Sequence, residues 1–411
     1  MQRSFTTRSL NVPFPTADPH RSLDMPVYET VAYDFDNSEE MGVCFRGEKH
    51  RHVYSRTSNP TVEYLEEKMK VLTGAHHALA VSSGMAAITN SILALCKTGD
   101  NLIASSHLFG HSFALLDQSL RNYGLEPRFV DHFTPESLEA LIDDRTRLIF
   151  FETVTNPQLE IEDIRMIAEI AHRRKVLVMV DSTVTPPVVF NSARLGVDIE
   201  VMSSTKFISG GGTSFGGIIL DNGTFDWTLN PNLEHWSAAV GKDAFIANLR
   251  KNYFRNTGSA MAAHTAHYQI MGLDILELRM ERCYGNCMVL AGFMEKHPKV
   301  KIVSYPGLSS SPYYELSRTQ FDGKPGTVMS FDLESEQACY RFMDALTIIR
   351  RATNLNDNKS LIIHPYSTIY AEFSREDRLK NGIRDTMIRL SVGIEAAADL
   401  IADVEQALKQ L

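Results

Sequence analysis

Three short stretches of this chain set chemically useful groups among small residues. Ser82-Ser83-Gly84-Met85 leads into Ala86, Ala87, Ile88 and Leu93, a helix-like run. Small residues there leave backbone N–H groups bare at a helix N-terminus, where the orphan donors and the dipole favour an anion. Asp181-Ser182-Thr183 follows an apolar run, and an aspartate in that position is costly unless it meets a cation, a donor array or water. Ser203-Ser204-Thr205-Lys206 precedes Gly210-Gly211-Gly212, which suggests an amine buried by close backbone. Such a lysine can have a depressed pKa and act as a nucleophile. Singly, each stretch also has a plain reading: a tight strand–helix turn, a turn or cap aspartate, a surface lysine in a loop. Together they supply a phosphate cradle, a lone carboxylate and a buried amine. That combination is what pyridoxal 5′-phosphate (PLP) requires: donors for its phosphate, a lysine to form the Schiff base, and a carboxylate to keep the pyridine nitrogen protonated.

The elements that must position these groups are short apolar runs alternating with helix-like stretches from about Thr61 onward, the pattern of a parallel sheet with crossover helices. The sequence predicts strands at Ala78–Val81, Asn101–Ala104, Pro127–Val130, Arg147–Phe151, Val176–Val180, Asp198–Met202 and Gly216–Leu220. Val176-Leu-Val-Met-Val180 is apolar at every position, so both its faces must be covered. Ile161, Ile164, Ile167, Ala168 and Ala171 recur at helical spacing and give one buried stripe. In an open parallel sheet ligands bind beyond the carboxyl ends of the strands, and all three stretches above fall there. Residues 1–60 are rich in Pro, Arg, Asp and Tyr without a sustained period and read as an extended arm. A large α/β domain over 61–260 follows. A long helical stretch over Leu273–Phe293 and a second α/β pattern from Gly326 then make up a C-terminal domain over 261–411.

Composition narrows the function classes. The chain has 411 residues, enough for two or three domains, with 44% hydrophobic and 22% charged residues, which are ordinary globular values. A net charge of −9 without a long basic run argues against a nucleic-acid or anionic-membrane partner. No apolar run approaches the ~20 residues that span a bilayer. Met1-Gln-Arg-Ser-Phe-Thr-Thr-Arg8 has no apolar stretch behind its basic residues, so it reads as no secretory signal, a transit peptide being the lesser alternative. Cys44, Cys96, Cys283, Cys287 and Cys339 are too few and scattered for a disulfide framework or a zinc site, which suggests a reducing compartment and a cytoplasmic location. A Rossmann-type nucleotide enzyme is set aside because the turn at Ser82–Met85 lacks the Gly-x-Gly-x-x-Gly spacing.

The chain resembles the Cys/Met-metabolism family of PLP enzymes, which includes cystathionine γ-synthase, the cystathionine lyases, methionine γ-lyase and the O-acylhomoserine sulfhydrylases. The likeness runs nearly end to end. It is carried by Tyr54-Ser-Arg-Thr-Ser-Asn-Pro-Thr61, Ser83-Gly-Met-Ala-Ala87, Glu152 with Asn156-Pro157, Asp181-Ser-Thr183, Ser203-Ser-Thr-Lys206, His364-Pro365 and Ile388-Arg-Leu-Ser-Val-Gly-Ile-Glu395.

The resemblance implies the fold type I PLP-dependent transferase architecture, with a mostly parallel seven-stranded sheet, a smaller C-terminal α/β domain and the N-terminal arm. It implies that Lys206 is the Schiff-base lysine and proton carrier, that Asp181 pairs with the pyridinium, and that Gly84, Met85, Ser203 and Thr205 bind the phosphate. Phe109 would stack on the cofactor. Tyr54, catalytic beside Lys206, and Arg56 would reach the phosphate of the neighbouring subunit's cofactor, making active-site-sharing dimers within a homotetramer. Arg389, with Asn354 and Asn156, would bind the carboxylate of a small amino-acid substrate. Arg389 lies near the end of a strand-like run, where a structural salt bridge is the competing reading.

Some positions depart from the family pattern. Phe109 stands where a Tyr is usual, so the ring is kept and its hydroxyl lost. His111 falls where methionine γ-lyases have a Cys; a titratable site group and a satisfied structural His are both open. Gly211 replaces a usual His, and Asn354 a usual Ser. Gly212-Thr-Ser-Phe-Gly-Gly217 with Phe225-Asp226-Trp227 is similar to the sulfhydrylases, although their insertion is shortened between Trp227 and Asn248. The expected reaction is γ-replacement on O-acetyl- or O-succinylhomoserine by sulfide or a small thiol, in methionine or cysteine metabolism. The alternatives are an eliminating lyase acting on methionine or cystathionine and, from another class, a PLP-binding protein that has lost catalysis.

Overall fold

The computed structural model describes residues 3–411. Seven strands form the larger sheet: β1 (His77–Val81), β2 (Asn101–Ser105), β3 (Glu126–Val130), β4 (Thr146–Glu152), β5 (Leu177–Asp181), β6 (Ile199–Met202) and β7 (Gly217–Asp221). Their order is β1-β7-β6-β5-β4-β2-β3. β7 runs antiparallel to both its neighbours, and the other pairings are parallel. Five shorter strands form a second sheet: β8 (Ile302–Ser304), β9 (Val328–Asp332), β10 (Arg350–Arg351), β11 (Leu361–Ile363) and β12 (Met387–Ser391), in the order β10-β11-β12-β9-β8. All seven expected strands of the first sheet are present, with bounds moved by one residue at one or both ends. The architecture is α/β with a mostly parallel large sheet and a smaller second sheet.

The two faces of the larger sheet are filled by alternate residues of each strand, as a pleated strand requires. Leu148, Phe150, Leu177 and Met179 pack with Ile88 and Ile92 of the helix Gly84–Leu95 on one side. Ile149, Phe151, Val178 and Val180 pack with Ile164, Ile167 and Ala171 of the helix Ile164–Arg173 on the other. That second core runs on without a break into Val328, Phe331, Ile362 and Leu390 of the smaller sheet. The two sheets thus share apolar contacts, which fixes the strands of one relative to the loops of the other.

Helix ends are set by local chemistry. Asp163 caps Ile164–Arg173 by accepting from the Met166 N–H at 3.1 Å, and His172 and Arg173 sit in its last turn. Asn59 caps the helix Pro60–Thr73, with Pro at its first position and Gly74 at φ +80° closing it. The arm is not extended throughout. It contains the short helices Phe5–Ser9 and Ser38–Phe45, capped by Ser4 and Asn37, each too brief to impose a periodic pattern. The helical stretch read over Leu273–Phe293 is two helices, Ala263–Asp274 and Leu276–Glu295, which meet at Ile275.

Candidate active site

The carboxyl ends of β4, β5 and β6 open on a cavity of about 490 Å³. Ser83, Gly84, Met85, Phe109, Asn156, Asp181, Ser203, Thr205, Lys206 and Arg389 all line it. Asn354 reaches it through Lys206, whose Nζ donates to Asn354 Oδ1 at 2.7 Å. Tyr54 and Arg56 do not line this cavity. Tyr54 is 40% exposed; the Arg56 guanidinium lies over its ring at 5.3 Å and donates to the Arg255 carbonyl at 2.8 Å.

The anion end is built by the helix Gly84–Leu95. Ser83 caps it, accepting from the Ala86 N–H at 3.1 Å, so the Gly84 and Met85 N–H groups point outward with the positive end of the dipole. Ser203 sits hard against Gly84: a Cβ on Gly84 would come within 2.7 Å of Ser203 Cβ. Glycine is therefore required there by space. The Thr205 hydroxyl is held by Gly216, whose N–H it accepts at 3.0 Å and whose carbonyl it approaches at 3.2 Å.

At the other end of the cavity, Asp181 is anchored by Thr183, whose N–H and hydroxyl donate to Asp181 Oδ1 at 2.9 and 2.6 Å. The same hydroxyl accepts from the Ser203 N–H at 2.8 Å, tying the end of β5 to the loop that carries Lys206. Glu152 is in register with Asp181 on the neighbouring strand and accepts from the Phe109 N–H at 2.6 Å. Burial raises both carboxyls above their ordinary range, and the charge on Asp181 pushes Glu152 further. A half-buried Asp181 with no cation beside it among the described residues is out of balance; a protonated pyridine nitrogen is a cation of the right kind.

Lys206 is lowered to about 8, first by burial and then by the nearby Arg389 charge. Arg389 stands in the middle of β12 and is 1% exposed. Among the described residues it makes no ion pair. Its Nη1 donates to Asn156 Oδ1 at 3.2 Å, and its Nη2 to the Thr353 and Asn354 carbonyls at 3.1 Å each. Its Nε is buried without a partner. A guanidinium held by three neutral acceptors keeps unfilled N–H donors on Nε and Nη1 that it can present to a carboxylate.

Apolar walls close the rest: Ile88, Phe109, Val154, Val184, Leu355 and Ile369. His111 lies at the exposed rim, its ring 5.1 Å from that of Phe109. Glu152 and Thr183 were not singled out for a role in the sequence, although both sit where a residue at or just past a strand end would be sought.

A helix N-terminus for phosphate, a carboxylate short of a cation, a neutralisable amine and an apolar slot between them define a PLP site, and the residues present fit that group. The comparisons with known proteins agree. The family model described as Cys/Met metabolism PLP-dependent enzyme matches residues 7–409. An L-methionine gamma-lyase of Pseudomonas putida is 37% identical over 407 residues, covering 98% of this chain and 97% of that protein. An O-acetyl-L-homoserine sulfhydrylase of Corynebacterium glutamicum is 35% identical over 421 residues, covering 98% and 96%. The crystal structure of a putative O-acetylhomoserine (thiol)-lyase from Campylobacter jejuni, with a pyridoxyl-lysine monophosphate, superposes with a TM-score of 0.93 at 33% identity, covering 99% of this chain and 100% of that one. The chain belongs to the Cys/Met metabolism family of PLP-dependent enzymes; it is a PLP enzyme of sulfur amino-acid metabolism.

Proposed function

We propose that this enzyme carries out γ-replacement on an O-acylated homoserine, with sulfide or a small thiol as the incoming group. The observation that carries the reading is the pairing of a buried carboxylate clamp at Arg389 with an apolar slot beyond Lys206: one end selects an amino acid, the other accepts a chain ending in an ester. When bound, PLP supplies an electron sink for charge left on the substrate carbons. Lys206 Nζ would hold the cofactor's aldehyde and, as a free amine, is placed to take a proton from one substrate carbon and return it at another. Asn354 Oδ1 holds that nitrogen in place. Asp181 would keep the ring nitrogen protonated, and the Gly84 and Met85 N–H groups with Ser203 and Thr205 would hold the phosphate. Phe109, an apolar wall of the cavity, would give the cofactor ring a surface to pack on. Arg389, Asn156 and Asn354 orient the substrate carboxylate, which fixes the α-hydrogen beside Lys206.

Tyr54 and Arg56 act in the neighbouring subunit's site in this reading, within active-site-sharing dimers of a homotetramer. Their place outside their own chain's cavity supports it. Five cysteines, all free and buried, accord with a cytoplasmic home. A second reading, elimination from methionine or cystathionine, is favoured by the 37% identity to a methionine gamma-lyase. A protein without catalysis is opposed by the presence of Lys206, Asp181 and Arg389 together. Purified enzyme offered O-acetylhomoserine, O-succinylhomoserine or methionine, with and without sulfide, is expected to make homocysteine from an ester only when sulfide is present. Keto-acid release from methionine without any sulfide-dependent product overturns the proposal in favour of the lyase.

A further inference from the structure

Away from the cofactor cavity, three metal-ligating side chains meet that the reaction does not use. His76 and His77 stand at the start of β1, and Asp243 closes the short turn Gly241–Asp243. The Nε2 atoms of both histidines lie 2.8 Å from a single oxygen, Asp243 Oδ1, and one ligand atom from each of the three lies within 4.8 Å of the others. β1 runs from His77 to Val81 before Ser83 and Gly84 reach the cavity, so the cluster sits on the order of 16 Å from it, at the opposite end of the strand.

We propose that His76, His77 and Asp243 form a binding site for a divalent first-row transition-metal ion, with Zn²⁺ as the probe, which ties the segment 234–243 to the sheet. Two imidazoles and a carboxylate are a donor set that zinc accepts, water completing the shell. An ion at ~2.0–2.2 Å from each donor in a tetrahedral shell sets neighbouring donors ~3.3–3.6 Å apart. The two nitrogen–oxygen separations, 2.8 Å each, need to open by about 0.5–0.8 Å, a shift within reach of exposed side chains.

The proton balance closes within the histidines. Each Nε2 must present a lone pair instead of a hydrogen, with its proton carried on Nδ1. Neither Nδ1 has a hydrogen bond among the described residues, so the change of tautomer breaks only the bond to Asp243 that the ion replaces. Asp243 enters as the carboxylate, and nothing is oxidised or reduced.

The two sides of the site are unequally held. His77 is fixed by its pairing with Asp221 on β7. His76 packs on Gly223, which has φ +68° and where a Cβ would meet His76 Cβ at 2.8 Å. In contrast, the helix Glu234–Val240 and the turn Gly241–Asp243 bury no side chain. The ion would add a second anchor to a segment held to the core by the half-buried Trp236, and an ion-free hydrogen-bonded latch is the competing account.

Untagged holoenzyme, treated with chelator and desalted, is titrated with Zn²⁺ by calorimetry. One ion per chain is expected, with affinity reduced at least ~10-fold in Asp243→Asn and in His76→Gln. Both side chains are exposed, so circular dichroism and cofactor absorbance should match the parent. His52→Gln serves as the comparison, since His50 and His52 approach Glu63 at 3.3 and 3.2 Å and form the rival cluster; it should bind Zn²⁺ as the parent does. Amide hydrogen exchange across 234–243 should slow on Zn²⁺ addition in the parent and not in Asp243→Asn. Absence of stoichiometric binding, parent-like affinity in both site variants, or loss that follows His52→Gln instead overturns the proposal.

Discussion

Replacing Arg389 by lysine keeps the charge and removes the fork, which isolates what the guanidinium geometry contributes. In the structure three acceptors, Asn156 Oδ1 and the carbonyls of Thr353 and Asn354, take three of the four Nη hydrogens, while the buried Nε has no partner among the described residues. An ammonium has three donors and a shorter reach. The three resident acceptors would take all of them, leaving none for a substrate carboxylate. One charge-assisted hydrogen bond is worth ~1.5–3 kcal/mol, so kcat/KM for O-acetylhomoserine should fall ~10–150-fold, chiefly through KM. Initial rates with sulfide in excess measure this, with cofactor absorbance and circular dichroism confirming that the protein is loaded and folded. A lysine variant within about twofold of the parent in kcat/KM would refute the clamp and return Arg389 to a structural role.

The remaining expectations concern the cofactor end of the cavity. With burial holding Lys206 at about 8 instead of 10.5, about a tenth of the apoenzyme carries a neutral amine at pH 7; imine formation with added PLP should speed up as pH rises and level off above 8. A midpoint near that of free lysine would contradict the burial argument, and Lys206→Ala should form no imine at all. Asp181→Asn keeps the shape and the Thr183 contact but cannot balance a protonated ring nitrogen, so turnover should fall at least ~100-fold with a changed cofactor spectrum; unchanged kinetics would count against the pairing. Gly84→Ala pushes a methyl into Ser203, and an overpacking cost of ~1–3 kcal/mol should weaken PLP rebinding to apoenzyme ~5–150-fold by equilibrium dialysis.

The larger sheet was legible because its strands are apolar on both faces and bounded by turn residues. The one-residue offsets have a simple cause. At the end of β5, Asp181 reads as the stop of an apolar run, yet its backbone is still paired with Glu152 of β4. Arg389 shows the reverse: a charged residue looked like the edge of a strand and is instead the centre of one, tolerated because Asn156 and two carbonyls meet it. Contacts between distant segments, such as Lys206 with Asn354 or Glu152 with the Phe109 N–H, leave no periodic trace. Strand-end position pointed to the right neighbourhood, and only the folded chain supplies the partners.

Two of the departures from the family pattern are one feature of packing. Gly211 and Gly212 have φ of +130° and +69°, and the loop holding Asn354 lies directly against them. A Cβ on Gly211 would sit 2.5 Å from Asn358 Nδ2, and one on Gly212 would sit 2.6 Å from Asp357 Oδ2 and 2.8 Å from Asn354 Nδ2. Asn354 in turn donates to Asp357 Oδ2 at 3.0 Å and accepts from Lys206. A histidine at 211 would have to displace Asn358, and with it the loop that aims Asn354 at the lysine. The glycines and the asparagine therefore depend on each other: the bare backbone after Lys206 makes room for an amide that is longer than a serine and still reaches Nζ. What looked in the sequence like independent losses from a site is a repacked lysine pocket with its hydrogen-bonding capacity kept.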